Sequence, residues 1–106
     1  MEGQLDDIIK KIVPHYQFNE TDYPETKHLD ENQRRLFGIR HLAQHFSKTA
    51  GKIVAQTEPI DHGGSPDFQE LKIDVAKSLI NTLRLAELIG MNEKDFTDFI
   101  DQKYKK

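Results

Sequence analysis

Apolar residues recur at helical spacing in four stretches of the chain, with polar residues between them. The first stretch runs from about Leu5 to Val13, where isoleucines recur every three or four positions. Acidic residues lie early in it and lysines late, which suits the helix dipole, and Pro14 ends it. Residues 15–28 predict a loop that carries three aromatic side chains. We expect this aromatic loop to pack as a clamp or to form a dimer contact.

The second helix is predicted over about Glu31 to Thr57. Asp30 is a suitable N-cap, and Gln33 completes a capping-box pattern. Gly38 and Gly51 lie inside this helix, and interior glycines indicate either close helix contact or a break. One apolar stripe follows the helix: Leu36, Ile39, Leu42, Ala43, Phe46, Ala50, Ile53 and Val54.

Two further helices follow a turn at Gly63-Gly64. Ser65 and Pro66 predict the start of the third helix, which runs to about Ile89 with Gly90 as its C-terminal cap. Its apolar stripe is wide, which favours contact with two partners, including a second subunit. The fourth helix is predicted after Asn92, with an inner face formed by Phe96, Phe99 and Ile100.

The pattern as a whole predicts an all-α fold, an antiparallel bundle of about four helices. We expect one domain over residues 1–106, in which 1–28 form the N-terminal helix and aromatic loop and 29–106 form the helical core. A length of 106 residues suits one domain.

Composition narrows the functional classes. The net charge of −3 argues against nucleic acid as a partner, and the absence of cysteine excludes disulfide scaffolds and cysteine nucleophiles. No apolar run approaches about 20 residues, so no transmembrane helix is expected. The acidic N-terminus lacks the apolar region of a signal peptide, and a cytoplasmic location is the expectation.

The third predicted helix carries a family likeness. Residues 74–92 include Leu83-Arg84-Leu85-Ala86 followed by Gly90. This segment resembles the third helix of MazG-like all-α nucleotide pyrophosphohydrolases, in which a Glu-x-x-Asp motif precedes such a run. Residues 42–54, with Gly51, resemble the helix that carries the family's Glu-Glu-x-x-Glu motif. The resemblance covers about Leu36 to Lys106 and implies an oligomeric bundle, a nucleotide ligand and Mg²⁺ held by those acids.

The chain departs from the family at these acids. The Glu-Glu-x-x-Glu positions fall on Lys48, Thr49 and Lys52, and the Glu-x-x-Asp positions fall on Asp74 and Lys77. A lysine ammonium cannot ligate Mg²⁺ and would repel it. The resemblance therefore implies a pyrophosphohydrolase relative whose catalysis is impaired or lost.

The lysines have two interpretations. Lys48, Lys52 and Lys77 could bind phosphate as point charges, with Asn81 on the same helix face as Lys77. Alternatively, Lys48 and Lys52 form a solvated face and Lys77 pairs with Asp74.

An active Mg²⁺-dependent enzyme with a rearranged site is the alternative function. It would use Glu70 and Asp74 with Glu58 and Asp61 from the connecting loop. A second alternative is a helical protein-interaction module that binds through Phe96, Phe99 and the aromatic loop.

Other groupings have simpler explanations. His41 and His45 share a helix face and would need Asp74 or His62 to complete a zinc site, so partly exposed histidines are expected. The stretch Asp61-His62-Gly63-Gly64-Ser65 lacks the ending of a phosphate-binding loop and predicts a turn. Arg34, Arg35 and Arg40 are expected to form a solvated basic face. A homo-oligomer, dimeric or larger, is the expected assembly.

Overall fold

The computed structural model describes residues 3–16, 18–19 and 21–105. Four α-helices carry the fold: α1 (Gln4–Ile12), α2 (Glu31–Thr57), α3 (Phe68–Leu88) and α4 (Glu93–Lys103). Short 3₁₀ helices join them at Val13–His15, Pro24–Thr26 and Glu58–His62. The described residues contain no strand, which confirms the all-α prediction and its four helices. None of the helices in these ranges is both long and apolar enough to cross a bilayer.

Two helix starts carry capping boxes, of which the one at Asp30 is predicted as a box and the one at Asn92 only as a helix start. The Asp30 side chain accepts from the Gln33 amide at 2.7 Å, and the Gln33 side chain accepts from the Asp30 amide at 3.0 Å. Asn92 and Asp95 form the same reciprocal pair at the start of α4. Each box satisfies amides that the first helical turn leaves without an intrahelical partner.

The start of α3 differs from the prediction. Asp67 is the N-cap in place of Ser65, because its carboxylate accepts from the amides of Gln69 at 3.0 Å and Glu70 at 3.2 Å. Pro66 therefore precedes the helix instead of occupying its first turn. The predicted turn glycine and C-terminal cap are confirmed, since Gly63 has φ +80° and Gly90 has φ +77°.

The helices α2 and α3 form an antiparallel hairpin. Near the loop, Gln56 of α2 donates a hydrogen bond to the carboxylate of Asp74. At the other end, the Arg35 side chain donates to the carbonyl of Leu88. The buried positions between these ends include Leu42 on α2 and Asn81 on α3. This hairpin provides the frame on which the candidate site is built.

Much of the predicted inner surface is exposed. On α2, Leu42 is buried, whereas Leu36, Phe46 and Val54 are exposed because α3 covers only one side of the stripe. The prediction that Phe96 and Phe99 form an inner face of α4 is likewise wrong, since their side chains are 43% and 56% exposed. The single chain therefore buries only part of its helical apolar surface.

The aromatic loop packs against α2, which agrees with the prediction that it packs as a clamp. Phe18 lies at 5.9 Å from Phe37 and Tyr23 at 5.1 Å from His41, measured between ring centroids. Arg34 holds the loop by donating to the carbonyls of Phe18 at 3.3 Å and Thr26 at 3.1 Å. The expectation of a solvated basic face is wrong for Arg34, because loop carbonyls with no helical partner require donors.

Candidate functional site

A cationic groove lies between α2, α3 and the aromatic loop. Its volume is about 490 Å³, within the range of small-molecule sites. Three lysines, one arginine and three histidines contribute to its walls, together with two tyrosines. The residues lining it are His15, Tyr16, Asp22, Tyr23, His41, His45, Lys48, Thr49, Lys52, Lys77, Ile80, Asn81 and Arg84.

The groove brings together most of the positions singled out in the sequence. Lys48, Thr49 and Lys52 reach it from α2, while Lys77 and Asn81 reach it from α3. Helical spacing explains the grouping, because residues three or four apart lie on one face. The two helices then set these faces beside each other, with α2 running opposite to α3.

The two predicted acids lie elsewhere. Asp74 is 5% exposed, and its carboxylate accepts a hydrogen bond from Gln56 across the helix interface. Glu70 is exposed in the first turn of α3 and is not part of the groove lining. The Gln56 amide therefore occupies the side of Asp74 that faces α2.

Lysine charge in the groove is not neutralised by carboxylates of the described chain. Within residues 3–16, 18–19 and 21–105, no ion pair joins Lys48, Lys52 or Lys77 to an acid, Asp74 included. The interpretation in which Lys77 pairs with Asp74 is thus wrong. Among the described lining residues Asp22 is the one carboxylate, and Asn19 engages it through a 3.2 Å side-chain hydrogen bond.

Arg84 adds a partly buried cation that the sequence reasoning missed. Its guanidinium lies 4.2 Å from the centre of the Tyr16 ring and 5.6 Å from that of Phe18, a cation–π arrangement. Burial lowers the pKa of Arg84, although the nearby Tyr23 and Tyr16 oppose that effect. Arg84 follows Lys77 by seven positions and Asn81 by three, so helical spacing was the signal that could have identified it.

Two polar side chains on the groove walls differ in how they are satisfied. The Thr49 hydroxyl donates to the His45 carbonyl at 3.0 Å, within its own helix. Asn81 is buried at 9% exposure, yet its side chain makes no hydrogen bond to any described residue. The amide of Asn81 lines the groove and is not among the buried polar atoms without a partner, so it has hydrogen-bonding capacity that a bound molecule or water can reach; among the described side chains, Gln56 Oε1 is the buried atom without a partner.

The paired histidines adjoin the lysines. The Nε2 atoms of His41 and His45 are 2.9 Å apart, which places a donor on one ring and an acceptor on the other. Burial lowers the pKa of His41, and the charges of His45 and Arg84 lower it further, with Glu25 opposing.

The described part of the chain does not assemble a metal-ligand set. No group of three or more His, Asp or Glu side chains in those residues is placed to hold an ion. The three-ligand zinc arrangement of His41 and His45 with Asp74 or His62 is therefore not formed. The rearranged acidic set of Glu58, Asp61, Glu70 and Asp74 is not assembled either.

A smaller cavity of about 320 Å³ lies beyond the Tyr16–Arg84 contact, which forms a wall of both spaces. Arg34 and Arg35 line it, and both donate to backbone carbonyls. Glu31 and Glu87 also line it. Its charge is therefore mixed, and the groove remains the stronger candidate for a charged ligand.

Comparison of the chain with protein-family models, with curated proteins and with solved structures found no match.

Proposed function

We propose that the chain binds a phosphorylated small molecule of the nucleotide class in the cationic groove, without hydrolysing it through bound Mg²⁺. The observation that carries the proposal is the convergence of Lys48, Lys52, Lys77 and Arg84 on one space with no ion pair to the lysines from the described chain. Cations held together without counter-charges repel each other, and a polyphosphate removes that repulsion.

The groove chemistry suits both parts of a nucleotide. Lysine ammonium groups act as phosphate-binding point charges, and the Arg84 guanidinium presents a planar set of donors. Tyr16 and Tyr23 offer aromatic faces for a base, and the unpaired Asn81 amide offers a donor and an acceptor. These features support a nucleotide over a bare inorganic anion.

The resemblance to MazG-like pyrophosphohydrolases supports the same proposal. Three positions that carry metal-binding acids in that family are lysines here, and all three line the groove. A fixed ammonium group then supplies positive charge where the family uses a metal ion. Asp74, the acid that remains, is buried against Gln56.

Isothermal titration calorimetry with inorganic pyrophosphate and a panel of nucleoside triphosphates tests binding. Lys77→Gln should weaken affinity about 10-fold or more, since a charge-assisted hydrogen bond contributes about 1.5–3 kcal/mol. Lys94→Gln is the matched control, because Lys94 lies on α4 and pairs with Asp98. Equal affinities for the wild type and Lys77→Gln would contradict the proposal.

A hydrolysis assay separates this proposal from the rearranged-enzyme alternative. Purified protein is incubated with the same triphosphates and Mg²⁺ or Mn²⁺, and released pyrophosphate is measured. We expect no turnover, because the described acids do not form a metal site. Robust turnover that Asp74→Asn abolishes would establish the enzyme instead.

A further inference from the structure

The paired histidines give the groove a charge that changes near neutral pH. Both rings line the groove, and their Nε2 atoms are 2.9 Å apart. Lysine and arginine side chains ordinarily keep their charge throughout the neutral range, whereas an imidazole gains its proton near pH 6.5. The number of protons on His41 and His45 therefore decides how strongly this part of the groove attracts an anion.

The hydrogen bond between the two rings leaves their Nδ1 atoms unlike when the pair is neutral. The ring that donates through Nε2 has a bare Nδ1, whereas the ring that accepts carries its proton on Nδ1. No described residue forms a hydrogen bond with either Nδ1. His45 is exposed, and Nδ1 of His41 is not among the buried atoms that lack a partner in the described chain. Both Nδ1 atoms are therefore accessible from solvent.

The pair can accept one proton without losing its hydrogen bond. The proton adds to the bare Nδ1 of the donating ring, which becomes an imidazolium and makes the Nε2–H···Nε2 contact charge-assisted. A second proton would have to occupy the accepting Nε2, where two N–H groups would face each other at 2.9 Å. With one added proton, the pair therefore has an N–H donor at both Nδ1 atoms.

The aromatic surroundings of His41 favour its neutral form. The rings of Tyr23, Phe18 and Phe37 lie 5.1, 5.7 and 5.8 Å from its own ring, measured between centroids. Burial is the main cause that lowers the pKa of His41. The protein alone therefore keeps the added proton off His41 at pH 7 and above.

The charged neighbours of the pair act in the same direction. Arg84 and His45 lower the pKa of His41, and Glu25 of the aromatic loop opposes them. The other charged or titratable groups that share the groove with the pair are Lys48 and Lys52 on α2, Lys77 on α3, and His15, Tyr16, Asp22 and Tyr23 before α2. Cations outnumber carboxylates among them, so an added proton is opposed until a negative charge joins the pair.

A phosphate group reverses this balance. An opposite charge within about 4–6 Å favours the charged form of a titratable group and shifts its pKa by about 1–3 units. A phosphate oxygen also accepts a hydrogen bond from an Nδ1–H group, whereas the lone pair of a bare nitrogen repels it. Phosphate binding and protonation of the pair therefore strengthen each other, as linked equilibria must.

We propose that the His41–His45 pair takes up one proton from solution when a phosphate group binds in the groove, and that both rings then donate to that phosphate through Nδ1. One N–H bond forms, and no covalent bond of the ligand breaks. This step rests on the proposed function, whose ligand supplies the phosphate. Affinity should accordingly fall by up to about 10-fold per pH unit as the pH rises from about 7 to 8.

Isothermal titration calorimetry at pH 7.0 in buffers of different ionisation enthalpy counts the protons. The probe is the nucleoside triphosphate with the highest affinity in the panel above, without added metal. The observed enthalpy should rise with the ionisation enthalpy of the buffer, with a slope of about 0.5 proton or more taken up per ligand. A variant with both His41→Gln and His45→Gln should lose this uptake and bind about 10-fold more weakly. His62→Gln is the matched control, because His62 is exposed outside the groove lining, and it should behave as the wild type.

Nitrogen NMR of the wild type guards against a folding defect in the double variant. In protein with ¹⁵N-labelled histidine, an Nδ1 resonance of the pair should move to the imidazolium position when the probe is added at pH 7.0. Binding without proton uptake, or with uptake that the double variant retains, would overturn the proton-coupled step and leave the proposed function intact. Binding of no triphosphate at all would overturn both.

Discussion

At the scale of single residues, the two glycines inside α2 occupy opposite environments. A Cβ added at Gly38 would lie 2.8 Å from the Phe18 ring and 3.0 Å from Leu88, whereas one added at Gly51 would meet nothing within 4 Å. Gly38 therefore permits the aromatic loop and α3 to approach the helix closely. Gly51 has no such contact within the chain and only lowers helix propensity.

Alanine substitutions should separate these roles. Gly38→Ala should lower the free energy of unfolding, because overpacking costs about 1–3 kcal/mol and outweighs a helix-propensity gain of about 1 kcal/mol. Gly51→Ala should raise it by about 1 kcal/mol. Urea denaturation followed by circular dichroism measures both. A loss of stability in Gly51→Ala would mean that a partner helix lies against that position.

The depressed pKa of His41 predicts an acid-side loss of stability. The unfolded chain takes up a proton on this imidazole near pH 6.5, whereas the folded chain does so at lower pH. Stability should therefore fall as pH decreases below about 6.5 and be independent of His41 above it. His41→Gln should flatten this dependence between about pH 7.5 and pH 5 in urea denaturation.

His28→Gln is the matched control for this measurement. It removes an exposed histidine at the end of the aromatic loop and should leave the wild-type pH dependence intact. If His41→Gln loses stability on acidification as steeply as the wild type, another group is responsible.

The sequence predicted much of the groove but not its boundaries. Spacing alone pairs Lys48 with Lys52 on α2 and Lys77 with Asn81 on α3, and the family resemblance suggested that the lysines of the two helices meet. The interaction of Asp74 with Gln56 could not be predicted, since it depends on the register between two helices. Tyr16 and Tyr23 were recognised as packing residues, but only the path of the loop places them beside Arg84.

At the scale of elements, α1 and α4 cap each other. The Leu5 amide of α1 donates to Glu93 Oε1 at 2.9 Å, and the Glu93 amide of α4 donates to Asp6 Oδ1 at 2.9 Å. Each helix start thus receives an acceptor from the other, and a carboxylate at a helix N-terminus also complements the dipole. This link joins elements that are 87 and 88 residues apart in sequence.

Removing either carboxylate should destabilise the fold. Glu93→Ala and Asp6→Ala should each lower the free energy of unfolding by about 1 kcal/mol, as for other lost helix caps. The double variant should show non-additivity, because the two groups are in contact. Chemical denaturation of the wild type, the two single variants and the double variant measures these free energies. Asp7→Ala changes an exposed neighbour and is the control, which should lose less stability. Unchanged stability in both single variants would contradict the capping role.

Helix ends were more predictable than helix faces. Capping boxes at Asp30 and Asn92 depend on residues three positions apart, so local sequence identifies them. The exposed side of the α2 stripe could not be identified in this way. Apolar residues recur at the same spacing whether a stripe packs against its own chain or stays uncovered by it. Only Leu42 of the α2 stripe is buried in the single chain.

At the scale of the whole molecule, the α2–α3 hairpin carries a cationic groove and also exposes large apolar side chains. The groove lies on α2 and α3, and the same two helices leave Leu36, Val54 and Leu79 exposed. Lys77→Gln, which should weaken phosphate binding, removes a charge that pairs with no described acid, so it should change the free energy of unfolding by less than about 0.5 kcal/mol in urea denaturation. A larger loss would show that Lys77 supports the fold and not only the groove.

The positions of the tyrosines have a spectroscopic consequence. The chain has three tyrosines and no tryptophan, so its intrinsic ultraviolet emission comes from tyrosine alone. Tyr16 and Tyr23 line the groove, whereas Tyr104 is exposed just after α4. Two of the three native fluorophores thus stand where a ligand would contact them, one of them against Arg84. The unlabelled protein carries its own optical reporter of groove occupancy.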